Sequence, residues 1–330
     1  MTAQRFAIPL VVFVIGLIGA PVSALDQGWT VSRTADGQPD LHGIWAHNSA
    51  TPFERLEEFG DKAFLTDEEV AELTQRVNEF RDGEQAGDLL GDSLIRKALD
   101  ETYDPEFDKF TGDYNAFWLV ERHLDNRTAL VVDPPTGRIP PLTAEAQARS
   151  EARRAYRREH FADGPEDRSL SDRCLHFDAP RLSAGYNSYF QILQTPEHVA
   201  ILQEMGHISR LIPLDRRPHI DDDVRLWTGD ARGHWEGDTL VVETANFSAD
   251  ARYRGATEGL RLVERFTRVS PDTLEHEVTL NDSATWTQPW TVKLVLEATE
   301  DPIFEYACYE GNYSMEGILG GARMEEKSEQ

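Results

Sequence analysis

The stretch Leu260-Arg-Leu-Val-Glu-Arg-Phe-Thr-Arg-Val269, the triplet Ser270-Pro271-Asp272 and the stretch Thr273-Leu-Glu-His-Glu-Val-Thr-Leu280 decide the fold class. Two runs rich in β-branched and apolar residues flank three turn formers, the pattern of two strands joined by a tight connection. The same texture continues on both sides. Upstream lie Tyr189–Gln194, His198–Glu204, His207–Leu214, Val224–Thr228 and Thr239–Phe247, and downstream lie Thr291–Ala298 and Ile303–Tyr309. The breaks between them hold turn residues, as in Thr195-Pro196-Glu197 and Glu236-Gly237-Asp238. Nine short strands at roughly 10- to 15-residue spacing, with no helix between them, predict an antiparallel meander closed as a barrel or folded as a sandwich.

The N-terminal third reads differently. Gln38 to Trp45 is a turn leading into a short strand, and Thr66-Asp67-Glu68-Glu69 supplies an N-cap and an acidic first turn. The helix that follows should run to about Asp82 with Val70, Leu73, Val77 and Phe80 on one face. The acidic, glycine-interrupted stretch over residues 83–112 reads as a loop with one short helix. Thr128 to Asp133 is a β-type run stopped by Pro134-Pro135-Thr136-Gly137, and Arg138-Ile139 resumes it before Pro140-Pro141. Thr143 caps a second helix through about His160, built mostly of Ala, Arg and Glu and therefore expected on the surface. The fold class is mainly β with helical additions, an antiparallel barrel of lipocalin type or a sandwich. The expected organisation is one domain over residues 25–330: a mixed elaboration over 38–185, antiparallel strands over 186–312 and a C-terminal tail over 313–330.

Residues 1–24 are expected to be a cleavable export leader. Arg5 precedes an apolar run from Phe6 to Gly19, and Ala20-Pro21-Val22-Ser23-Ala24 offers small residues for cleavage after Ala24. The run is shorter than the roughly 20 apolar residues that a membrane span needs. The reading is a periplasmic or secreted protein with no membrane attachment once the leader is removed. The chain carries a net charge of -26, which a nucleic-acid backbone or an anionic lipid surface would repel. Its only two cysteines, Cys174 and Cys308, are expected to pair in an oxidising compartment.

The strings Asp133-Pro-Pro-Thr-Gly-Arg-Ile-Pro-Pro-Leu-Thr143, Gly233-His-Trp-Glu-Gly-Asp-Thr-Leu240 and Glu305-Tyr-Ala-Cys-Tyr-Glu-Gly-Asn312 resemble those of a large family of exported bacterial proteins. That resemblance covers nearly the whole chain after the leader and brings no activity, substrate or catalytic residue with it. Gly43-Ile44-Trp45 ahead of a run of antiparallel strands carries a looser likeness to lipocalin-like barrels.

The densest titratable group in the sequence is Glu204, His207, Arg210, Asp215 and His219. His207 is the candidate general acid or base, because an unperturbed imidazole titrates near neutrality. Glu204 or Asp230 would orient it, and Arg210 or Arg225 would hold a negative charge. Tyr189 and Trp235 are the candidate pocket aromatics, and the same residues read equally well as the core that a barrel of this size requires. A metal centre would need His207, His219, His176 and His234 to converge, and their spacing makes no ligand motif. No metal or cofactor is assigned. Nucleophile elbow, phosphate loop, calcium loop and dinucleotide fingerprint are all missing from the sequence. Two functions stay open: cofactor-free hydrolysis, elimination or isomerisation of a small apolar or aromatic molecule held in the barrel, or its carriage without chemistry.

Overall fold

The computed structural model describes residues 29–81, 92–100, 102–103, 122–184, 186–251 and 253–328. The expected leader therefore lies outside the described residues, as do Asp82 and most of the stretch 83–112. Strand β1 spans Gly43–Ala46, helix α1 Asp67–Arg81, helix α2 Asp92–Leu99, strand β2 Val131–Asp133 and helix α3 Ala144–Glu159. There follow β3 Tyr189–Gln194, β4 His198–Gln203, β5 Ile208–Pro213, β6 Asp230–Glu236, β7 Thr239–Ala245, β8 Arg261–Ser270, β9 Thr273–Asn281, β10 Trp290–Thr299 and helix α4 Ser314–Ser328.

The strands form one antiparallel sheet in the order β5-β4-β3-β1-β10-β9-β8-β7-β6, with β2 paired to the start of β10. The opening sequence stretch is the β8–β9 hairpin, in which Leu262 faces Leu280, Glu264 faces Val278 and Phe266 faces His276. Side chains alternate across a strand, so these six share one face, and all six are buried. The sheet curls until its two end strands meet, giving a nearly closed barrel with nine strands around its wall. No hydrogen-bonded ladder joins β5 to β6. Instead β5 and the residue beyond it lay apolar side chains over Gly233 of β6, where an added Cβ would sit 2.8 Å from both Ile212 Cγ2 and Leu214 Cδ2. Only a residue without a side chain lets the seam come this close.

Inward residues from all nine strands make the main core, with Trp45, Ile192, Ile212, Leu240, Leu262, Leu274, Trp290 and Leu294 at 0–1 % exposure. A smaller core under α1 and α2 gathers Leu56, Leu65, Leu73, Val77, Leu94 and Ile95. The caps lie where the sequence places them. Thr66 and Glu69 bond reciprocally, the Glu69 amide to Thr66 Oγ1 at 3.3 Å and the Thr66 amide to Glu69 Oε2 at 2.8 Å. Thr143 Oγ1 accepts from the Ala146 amide at 3.1 Å, and α3 buries only Ala146. Among the described residues no helix is long and apolar enough to cross a membrane.

Three segments depart from expectation. Val224–Thr228 is an exposed loop whose Leu226 makes a single bridge to Phe247. The Asn246 side-chain amide donates to the carbonyls of Ile220, Asp221 and Val224, so a side chain satisfies the backbone that a ladder would otherwise have paired. The true strand, β6, presents only Ala231, Gly233 and Trp235 inward, too little apolar surface to register as alternation. Ile303–Tyr309 has no ladder and is an extended strap, and the expected tail beyond it folds as α4.

Candidate functional site

Three titratable side chains sit in the inward phase of otherwise apolar strands: Arg210 on β5, Glu264 on β8 and His276 on β9. Both terminal nitrogens of Arg210 donate to the two oxygens of Glu264, one at 2.8 Å, and His276 Nε2 lies 3.0 Å from Glu264 Oε1. The His276 ring stacks on Phe266 at 4.0 Å. Burial would push the Glu264 carboxyl up, but the Arg210 charge and the hydrogen bonds from Arg210 and His276 outweigh it and hold the group down at about 2. Burial pushes the His276 imidazole down, so the neutral ring donates from Nε2 and leaves Nδ1 without a partner among the described residues. This group is a cross-brace, because its charges are spent on each other.

One end of the barrel is plugged by the segment Phe177 to Leu182. Gln203 Nε2 donates to the Asp178 carbonyl at 2.9 Å, and Gln203 Oε1 accepts from the Arg181 amide at 2.7 Å. The Tyr253 hydroxyl donates to the Pro180 carbonyl at 2.7 Å, and His47 Nε2 meets the Leu182 carbonyl at 3.3 Å. The Ala179–Pro180 peptide is cis.

Outside this plug lies a cleft of about 1160 Å³, walled by α3, by residues 166–183 and by residues 250, 251 and 253–255. Six arginines line it, Arg153, Arg157, Arg168, Arg173, Arg181 and Arg254, against the carboxylates Glu166, Asp167, Asp178 and Asp250. His176 is almost buried, its ring 6.0 Å from the half-exposed Trp227, and burial pushes its imidazole below the ordinary value. Asp178 opens onto the cleft, yet the protein mass around it pushes its carboxyl up, against the opposing charges of Arg254 and Arg181. Arg181 Nε is buried without a hydrogen-bond partner among the described residues. The Arg254 guanidinium lies 4.1 Å above the Phe53 ring.

The cleft wall is stapled to the strap. Cys174 and Cys308 form the expected disulfide with Cα atoms 5.7 Å apart, and Phe177 meets Tyr306 edge-on at 5.2 Å. Glu204 Oε1 accepts from the Phe304 amide at 3.1 Å, and His207 Nδ1 accepts from the Tyr306 amide at 3.0 Å. Gly206 turns with φ at +72° beneath Phe177, where a Cβ would lie 2.4 Å from the ring.

The residues singled out in the sequence are thus dispersed. Glu204 and His207 hold the strap, and Arg210 is committed to Glu264 inside the barrel. Asp230 binds His219 Nδ1 at 2.9 Å and Arg232 at 2.7 Å on the outer face of β6. No side-chain hydrogen bond joins His207 to Glu204, Arg210 or Asp230 among the described residues. Arg225 reaches the Glu258 carbonyl at 3.4 Å from an exposed loop. Trp235 faces inward against the core, and Tyr189 is half-buried on the outer face near Asn48. Sequence reasoning passed over Asp178, Arg181, Glu264 and His276. A titratable residue in the inward phase, as at Glu264 and His276, was the available signal for the last two. Among the described residues no three His, Cys, Asp or Glu side chains gather as metal ligands.

Fold and site define the class: a nearly closed antiparallel barrel with helical additions, plugged at one end beneath an arginine-rich cleft. The chain matches no family model, no curated protein and no solved structure, so the cleft is read from its own chemistry.

Proposed function

We propose that this is an exported protein that binds a small aromatic molecule in the end cleft and transforms it by cofactor-free acid/base chemistry. One observation carries the reading: an imidazole pushed down and a carboxyl pushed up stand two residues apart on the wall and floor of one cleft. Opposed shifts of this kind bring an acid and a base toward the same working pH. His176 is the base, its imidazole pushed down by burial, and Asp178 is the acid, its carboxyl pushed up by burial against the charges of Arg254 and Arg181. The packed barrel moves the ligand from the interior to the cleft. Export rests on the leader read in residues 1–24 and on the disulfide, which an oxidising compartment preserves.

The test is incubation of the protein with a panel of small aromatic esters, lactones and phenols, with products followed by mass spectrometry. The expected result is turnover that falls at least about 100-fold in His176→Ala and Asp178→Asn and survives in His207→Ala. Wild-type turnover in both cleft variants overturns the assignment. Binding without product selects the carrier reading, which the exposed apolar faces of Trp227 and Leu175 at the cleft support.

A further inference from the structure

We infer that the cleft selects ligands that carry an oxyanion on an aromatic ring, a carboxylate, sulfate ester or phosphate ester, with Arg181 as the residue that recognises the charge. This rests on the cleft being the small-molecule site, and it adds the chemical class.

The charge distribution is the first support. A chain of net charge -26 has most of its surface negative, yet arginines outnumber carboxylates around this one concavity. A cleft with low-dielectric walls focuses the field of its own lining, so a local excess of guanidinium draws anions despite the distant charge.

The commitments of the lining groups are the second. Asp167 is spent on the Gly164 amide at 2.9 Å and the Tyr156 hydroxyl at 3.0 Å. Arg168 pairs with Asp172 at 3.0 Å and lies over the Phe161 ring, and Arg254 packs on Phe53. Arg181 differs. It lies half-buried at the cleft floor, its side chain donates no hydrogen bond to another described residue, and no ion pair joins it to Asp178. Its buried Nε has no acceptor among the described residues, and an oxyanion supplies acceptors in the planar geometry that the guanidinium fork matches.

The third support is the flat wall. Trp227 is 42 % exposed with His176 beside it, and an indole face left open to a cleft favours an aromatic ring stacked on it. Guanidinium and indole together describe one ligand, with a charged head at Arg181 and a ring along Trp227.

Isothermal titration of the full chain with naphthalene-2-carboxylate, 2-naphthyl phosphate and the neutral naphthalene-2-carboxamide tests this. The expected result is that at least one anion binds about tenfold or more tighter than the amide, and that Arg181→Met removes that advantage, so that anion and amide bind alike. Arg181→Lys should restore part of it, and the stronger anion identifies the head group. Equal binding of anions and amide, with Trp227→Ala weakening all three, overturns the oxyanion inference and leaves the cleft standing. Failure of all three to bind overturns the cleft reading as well. Should Arg181→Met not fold, the wild-type ratio of anion to amide decides alone.

Discussion

Arg210 and Glu264 face each other across the barrel interior, guanidinium to carboxylate through two hydrogen bonds, although 54 residues separate them in the chain. The pair ties β5, one lip of the unbonded seam, to β8, the third strand beyond that seam. Removing one partner strands the other charge in the core, which costs about 3–5 kcal/mol. We expect Arg210→Met and Glu264→Leu each to lower the unfolding free energy in urea by that order, and the double variant to recover most of the loss. A double-mutant cycle checks this, and strict additivity would refute it.

Acid should unfold the barrel in two stages. His47 is wholly buried, and its imidazole is pushed by that burial from 6.5 to about 3, so the unfolded chain takes up a proton that the folded site refuses. Stability is therefore full above 6.5 and falls as pH drops toward 3, with His276 contributing in the same direction. Glu264, held at about 2 against an ordinary 4.5, adds a second loss as pH falls through the interval between those values. Urea titrations at stepped pH should show both. His47→Gln should remove part of the upper stage, and Glu264→Gln should flatten the lower one.

The strap should loosen from either of its anchors. The disulfide links residues 134 apart, which the chain-entropy model values at roughly 4–5 kcal/mol. Cys308→Ser should lower stability toward that amount and raise amide exchange across residues 303–308. Glu204→Leu removes the acceptor for the Phe304 amide and should cost about 1–3 kcal/mol, while Glu204→Gln keeps an acceptor and should cost less. Hydrogen exchange at the Phe304 and Tyr306 amides reports both, and unchanged protection would exclude the anchoring role.

Gly233 should be intolerant of any side chain. Gly233→Ala drives a methyl into Ile212 and Leu214 at the seam, an overpacking that costs about 1–3 kcal/mol. Combining it with Leu214→Ala should cost less than the two changes summed. Thermal melts of the three variants settle the coupling.

Much of the architecture was legible residue by residue. The β8–β9 hairpin, the Thr66 and Thr143 caps and the Gly43-Ile44-Trp45 strand all depend on neighbours a few positions away, so their signals are written locally. Where the local signal misled, a distant group had intervened. Val224–Thr228 looked like a strand until the Asn246 amide took its carbonyls, and Ile303–Tyr309 until Glu204 and His207 took its amides. The clustering of Glu204, His207 and Arg210 in sequence suggested one site. Alternation sends Arg210 into the barrel, and the φ of +56° at His207 turns that residue toward the strap.

The sequence by itself determined the antiparallel strand class, the two capped helices and the availability of one cysteine pair, because period-two patterning, capping and residue count are properties of short segments. Only the tertiary structure decided which segments share one cleft. Closure of the seam, the strand register that sets Arg210 against Glu264, and the disulfide across 134 residues bring α3, residues 176–182 and residues 250, 251 and 253–255 around one cleft. Contacts between segments so far apart depend on how all the intervening strands pair, and no local pattern encodes that sum.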